Sequence, residues 1–171
     1  IKVSVKKNNL KIDDIKKNDF IISFGYKKII KKNLIDKTKK PIVNLHMSYL
    51  PYNRGAHPNF WSFVNNTVKG VSIHEIDSGI DTGRVILQKR IKFDLKKNPQ
   101  MTFKQSYNTL FDEVEKLFIK NYKNILTNRY KLKKKIMVKN SFKRKKDLPK
   151  NFKNWNTKIL DYIKIKNEKK I

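Results

Sequence analysis

The chain has 171 residues, the length of one domain, and carries 42 Lys and Arg against 14 Asp and Glu, a formal charge of +28, with 38% hydrophobic residues. It contains no cysteine, which excludes a disulfide scaffold, a thiolate-ligated zinc or iron–sulfur centre and a thiol nucleophile. No apolar run approaches the roughly 20 residues of a membrane-spanning helix, and no signal-like apolar region lies near the start, so a soluble, cytoplasmic protein with no membrane partner is expected.

The predicted elements run as follows. Asp19-Phe20-Ile21-Ile22-Ser23, closed by Gly25, reads as a short buried parallel strand. Ile29, Ile30, Leu34 and Ile35 recur at helical spacing up to about Lys40. Pro41 to His46 reads as a second strand, and Tyr49 to Gly55 as a loop rich in Pro, Asn and Gly. Pro58 suits the first turn of a helix that buries Phe60, Trp61, Phe63 and Val64. Val71 to Ile76 alternates as a strand, Asp77 to Gly83 is a tight polar loop, and Val85 to Gln88 is another strand. From Thr102 to about Leu126, Phe103, Tyr107, Leu110, Phe111, Val114, Leu117, Phe118, Tyr122 and Ile125 mark a long amphipathic helix with Thr102 as its N-cap. Beyond it, Phe142, Phe152, Trp155 and the run from Ile159 to Ile163 can anchor a short helix back on the domain. This alternation predicts an α/β protein with a mainly parallel sheet. The chain opens on Ile1 and a charged segment where an open α/β domain has an apolar strand, so an N-terminal truncation is expected.

The charge divides unevenly, and Lys116 to Lys150 holds 14 cations and the single acid Asp147. Phosphate neutralisation by such a segment suits a nucleic-acid partner. However, 37 of the 42 cations are Lys and five are Arg, and Lys, Asn and Ile together make 77 of the 171 residues. Those three are the products of A/T-rich codons, so base composition accounts for much of the excess.

Asn44 and His46 stand two apart on a predicted strand and leave it on the same face. They lie at its C-terminal end, where open α/β sheets bind ligands. With the carboxylates of the Asp77–Gly83 loop, they supply an amide donor, an imidazole and an acid, the parts needed to polarise a carbonyl and move protons.

These residues resemble the folate-dependent formyltransferases. The resemblance rests on Asn44-Leu45-His46-Met47-Ser48-Tyr49-Leu50-Pro51, on Arg54-Gly55 with Pro58, on Gly70-Val71-Ser72-Ile73, and on Asp77 through Gly83, and it is close over Asp19 to Gln88. It implies a Rossmann-like catalytic domain over 1–127 that lacks its N-terminal strand and helix, followed by a basic extension over 128–171. It implies Asn44, His46 and Asp81 as the catalytic trio, 10-formyltetrahydrofolate as co-substrate, a primary amine as acceptor and no metal. In that reading Asp81 keeps His46 protonated, and the imidazolium and the Asn44 amide stabilise the oxyanion. Lys28 and Ile30 on one side, and Ile76, Asp77 and Ile80 on the other, are expected to hold the folate, with Asp77 also supporting its loop. Arg54 and Gly55 are expected on the acceptor side, and Ser48 and Thr82 to fix loops through backbone hydrogen bonds. His57 and His74 have no partner in the motif; His57 could face the acceptor, but a surface role is expected for it. A methionyl-tRNA-like acceptor is slightly preferred, with a nucleotide-linked amino sugar or glycinamide ribonucleotide as alternatives. An inactive formyltransferase fold that binds RNA is the reading from another class.

Overall fold

A computed structural model describes residues 2–134 and 141–168. Helix α1 (Ile12–Lys17) precedes β1 (Ile22–Phe24), α2 (Lys32–Ile35), β2 (Val43–His46), β3 (Arg54–Gly55), α3 (Pro58–Val64), β4 (Gly70–Glu75) and β5 (Val85–Arg90). The long α4 (Phe103–Leu126), β6 (Phe142–Lys143), a single 3-10 turn (Lys145–Asp147) and α5 (Ile159–Glu168) complete the order.

The expected α/β class holds, and the strand directions refine it. The main sheet has the order β1-β2-β4-β5. Expected to be mainly parallel, it is mixed: β1 and β2 run parallel, while β4 is antiparallel to both β2 and β5. The reason lies in the connections. Residues 25–42 provide the crossover that a parallel pair needs, whereas the loop between β4 and β5 is too short for one and carries no helix. The chain leaves the C-terminal end of β2 through β3 and α3 and re-enters the sheet at the same end, so His46 faces Ser72 and Asn44 faces His74 across the pair.

Helix α4 covers this sheet. Its Leu110, Val114 and Ile125 bury against Val43, Leu45, Val71, Ile73 and Ile86. As expected, Thr102 caps it: its hydroxyl accepts from the Gln105 N–H at 3.2 Å, and the Gln105 side chain accepts from the Thr102 N–H at 2.9 Å. The helix expected over 29–40 contracts to α2, a single turn. Ile29 is 77% exposed, so the apolar spacing there finds no surface to bury against.

A second core lies beyond the C-terminal end of β2. Phe60, Trp61 and Phe63 of α3 pack with Phe103, Phe152, Ile159 and Tyr162. Residues 141–168 are fastened here by backbone bonds from Ile159 to Met101 and from Lys104 to Trp155, and by the parallel β3–β6 pair. Phe152, Ile159 and Tyr162 thus anchor the C-terminal segment, as their spacing suggested, while Phe142 sits partly exposed in β6.

Candidate active site

Strand β2 presents Asn44 and His46 on one face, and the antiparallel register brings His74 of β4 directly opposite Asn44. Asp81 reaches the same point from the loop between β4 and β5, where its backbone adopts the left-handed conformation at φ 50°. Two close approaches hold that loop. Asp77 accepts from the Thr82 hydroxyl and from the Gly79 N–H, and a Cβ at Gly83 would lie 1.7 Å from the Glu75 carbonyl oxygen. Asp77 therefore acts as the loop's own brace, and Thr82 bonds to that side chain where a backbone partner was expected.

The three expected trio residues come together, with His74 as a fourth. Asn44 Nδ2 donates to Asp81 Oδ1 at 3.3 Å and lies 3.1 Å from His74 Nε2. His74 Nδ1 is 2.7 Å from the Glu75 carbonyl oxygen, which can only accept, so Nδ1 carries a proton. Asp81 Oδ1 and Oδ2 lie 3.4 Å from His74 Nε2 and 3.7 Å from His46 Nε2 respectively. The Gly55 N–H donates to Asp81 Oδ2 at 2.8 Å. Gly55 has φ +86°, and a Cβ there would lie 2.2 Å from the Lys143 carbonyl oxygen, so only glycine lets the backbone reach both.

Burial favours the uncharged form of Asp81, but the His46 ring, the hydrogen bond and charge of His74 and the Gly55 N–H outweigh it. The carboxyl is held well below its usual range and is ionised at neutral pH. His46 is 7% exposed, and burial lowers its pKa from the ordinary 6.5 against the pull of Asp81, with His74 lowering it further. The charged imidazolium expected from the motif is therefore corrected to a neutral resting ring, because desolvation exceeds the attraction of Asp81. His46 also bonds to the Asn53 backbone, while its Nε2 is buried without a hydrogen-bond partner among the described residues. A ring that donates from Nδ1 leaves that Nε2 with a bare lone pair.

A cleft of about 160 Å³ opens beside Asp81, bounded by Leu50, Pro51, Arg54, Thr82-Gly83, Val85, Gln88 and Lys133-Lys134. Its walls are tied together: Ser72 Oγ donates to the Ser48 carbonyl and accepts from the Leu50 N–H, and Gln88 Nε2 donates to the Leu50 carbonyl at 2.6 Å. Ser48 donates to the Tyr52 carbonyl at 2.6 Å, the backbone bond expected of it. Arg54 flanks the cleft and donates from Nε to Ser141 Oγ at 2.8 Å.

The residues expected around a folate are more scattered. Ile76 and Asp77 are half-buried, and Ile80 is 41% exposed on the loop that carries Asp81. Ile30 is half-buried ahead of α2, while Lys28 is exposed and lines a separate open hollow with Lys6, Asn8, Asn9 and Lys11. Among the described residues, no group of three or more His, Cys, Asp or Glu is placed to hold a metal ion. His57 lies at the start of α3 with its ring centroid 5.1 Å from that of Trp155. His74, which has no partner in the motif, is 1% exposed and belongs to the site. Its alternation with Ser72 on β4 was the only signal for that inward face.

Comparisons with known proteins agree with this geometry. The family model described as formyl transferase matches residues 4–120. The methionyl-tRNA formyltransferase of Finegoldia magna is 43% identical over 77 residues, which cover 44% of this chain and 25% of that protein. That of Prochlorococcus marinus is 32% identical over 153 residues, 88% of this chain and 44% of that protein. The chain thus spans between a quarter and a half of the length of these curated relatives. Among solved structures, the formyltransferase PseJ from Anoxybacillus kamchatkensis, in complex with UDP-4,6-dideoxy-4-formamido-L-AltNAc and tetrahydrofolate, superposes with a TM-score of 0.82 at 34% identity. That match covers 91% of this chain and 82% of PseJ.

Proposed function

The chain belongs to the formyl transferase family, and we propose that it transfers the formyl group of 10-formyltetrahydrofolate to the primary amine of a nucleotide-linked amino sugar. The observation that carries the chemistry is the buried, unpartnered Nε2 of His46 beside the ionised Asp81. The acceptor amine attacks the formyl carbon and forms a tetrahedral oxyanion. His46 Nε2 takes the proton that the amine loses, and the resulting imidazolium faces Asp81 at 3.7 Å. Asn44 exchanges its contact with His74 for one to the oxyanion, which puts an amide donor on the developing charge while its other N–H stays on Asp81. As the intermediate collapses, the bond from the formyl carbon to folate N10 breaks, and the proton on His46 passes to N10.

The acceptor is argued separately. The sequence alone leaned toward a methionyl-tRNA-like acceptor. The extent of the match to PseJ, whose complex holds a UDP-linked formamido sugar, supports the nucleotide-sugar reading instead. Incubation of the chain with 10-formyltetrahydrofolate and a panel of UDP- and dTDP-linked amino sugars, methionyl-tRNA and glycinamide ribonucleotide tests it. Formation of a nucleotide formamido sugar is the expected outcome, and transfer to methionyl-tRNA or glycinamide ribonucleotide alone would overturn the acceptor assignment.

The pH dependence follows from the lowered pKa of His46. The base works in its neutral form, so kcat/KM rises with pH through a folded pKa that lies below the ordinary histidine value of 6.5. A pH–rate profile with an acid-limb midpoint below 6.5 is expected. A midpoint above that value would mean that the His46 ring is not held below its ordinary pKa, and activity that falls as pH rises through this range would mean that His46 acts from its charged form.

A further inference from the structure

Resting on the nucleotide-sugar reading above, we infer that Lys133, Lys134 and Arg54 form an anion clamp at the cleft. It grips the diphosphate of the acceptor while the amine end points to Asp81. The cleft carries charges of both signs. Among the described residues, Asp81 is its one acidic lining residue, and Arg54, Lys133 and Lys134 are its cations. An amine that carries a diphosphate matches these charges with its nucleophile toward the carboxylate and its phosphates toward the cations.

The clamp is built into the fold and is not a chance gathering of surface lysines. After α4 the chain is strapped along the edge of the sheet: Tyr130 Oη donates to Glu75 Oε1 at 3.2 Å, and the Lys133 N–H donates to the Val85 carbonyl at 2.8 Å. Lys133 Nζ then donates to Gln88 Oε1 at 3.2 Å, and Gln88 is itself bonded to the Leu50 carbonyl across the cleft. An ammonium has three donors, so this tether positions Lys133 and leaves two donors for a phosphate. Arg54 is likewise held through Nε by Ser141, with the terminal nitrogens of its guanidinium remaining for a ligand. Among the described residues, none of the three cations is joined to a carboxylate, whereas Lys32 and Lys89 elsewhere on the surface pair with Asp36 and Glu113. A lysine-rich composition raises the number of cations everywhere. It does not by itself strap Lys133 to an edge strand, with Lys134 next to it, at a cleft that also holds the Asp81 carboxylate.

The test separates the clamp from the acceptor reading. Isothermal titration of the full chain with inorganic pyrophosphate and with UDP is compared between the parent and the double variant Lys133→Gln/Lys134→Gln. The variant is expected to bind both about tenfold or more weakly, because two charge-assisted contacts are lost. The exposed pair Lys96→Gln/Lys97→Gln, which removes the same charge elsewhere, is expected to change neither affinity by more than about twofold. With a nucleotide amino sugar as acceptor, KM for that acceptor is expected to rise about tenfold in the clamp variant, with kcat and the KM for 10-formyltetrahydrofolate within about twofold of the parent. Equal pyrophosphate affinity in parent and clamp variant, no pyrophosphate binding by the parent, or an equal loss in the Lys96/Lys97 control would overturn the clamp. Selective loss of pyrophosphate binding in a protein that formylates no nucleotide sugar would uphold the clamp and refute the acceptor assignment.

Discussion

Replacing Asp81 with Asn is expected to lower kcat by about three orders of magnitude while the chain stays folded at 25 °C. Asn is the informative substitution because it keeps what is merely structural. It tolerates the left-handed backbone found at this position, φ 50°, better than other non-glycine residues do. Its Oδ1 can still accept from the Gly55 N–H that now bonds to the carboxylate. What disappears is the negative charge 3.7 Å from His46 Nε2. In the proposed reaction that ring must become an imidazolium in a site that burial already makes hostile to charge. Without Asp81, both the proton transfer and the positive charge beside the oxyanion lose their support. Some stability goes too, since the carboxyl is held below its ordinary 3.8. That contribution is complete above 3.8 and is lost as acid titrates the folded carboxyl below it, so a lower Tm is expected alongside the lower kcat. Saturating kcat, measured below the variant's thermal transition, decides the matter: activity within tenfold of the parent would remove Asp81 from the chemistry.

The parts of this site that were legible in the sequence are those written in local pattern. Asn44 and His46 declare a shared face by their spacing on β2, and Thr102 with the apolar stripe behind it declares α4 and its start. His74 was not legible, because its place depends on the antiparallel register that sets it across from Asn44, a relation between strands thirty residues apart in sequence. Register and strand direction are decided by connections and by burial on both faces, and a single strand encodes neither. The resting charge of His46 escaped for a related reason. The motif places Asp81 beside the ring, but whether the acid or the loss of water prevails depends on how deeply the ring is buried. The two-residue β3–β6 pair is too short to have a pattern, so the link from Arg54 to Ser141 appears only in three dimensions. Lys28 shows the converse: a motif position in a lysine-rich chain points to a ligand, while the structure leaves it exposed beside Lys6 and Lys11.

Phe60→Ala is expected to cost about 4 kcal/mol of stability. Phe60 is fully buried, and its ring centroid lies 4.7 Å from that of Phe152, 5.1 Å from that of Phe103 and 5.2 Å from that of Tyr162. It therefore joins α3, the first turn of α4 and the C-terminal segment at one point. Truncation removes apolar surface from three elements and leaves a cavity that aromatic neighbours, locked edge to face, cannot collapse to fill. The consequence reaches the cleft because the same C-terminal segment supplies Ser141 to Arg54 and the Lys143 carbonyl that packs against Gly55. Loosening it frees the backbone that donates to Asp81, so kcat is expected to fall about tenfold even in the fraction that remains folded. Urea unfolding measures the stability loss, and limited proteolysis reports where it lands, with new cleavage expected between residues 141 and 158. Phe60→Leu keeps most of the volume and is expected to lose less than half as much. A cost below about 1 kcal/mol for Phe60→Ala, or cleavage confined to the chain before β2, would mean that the two cores do not depend on one another in this way.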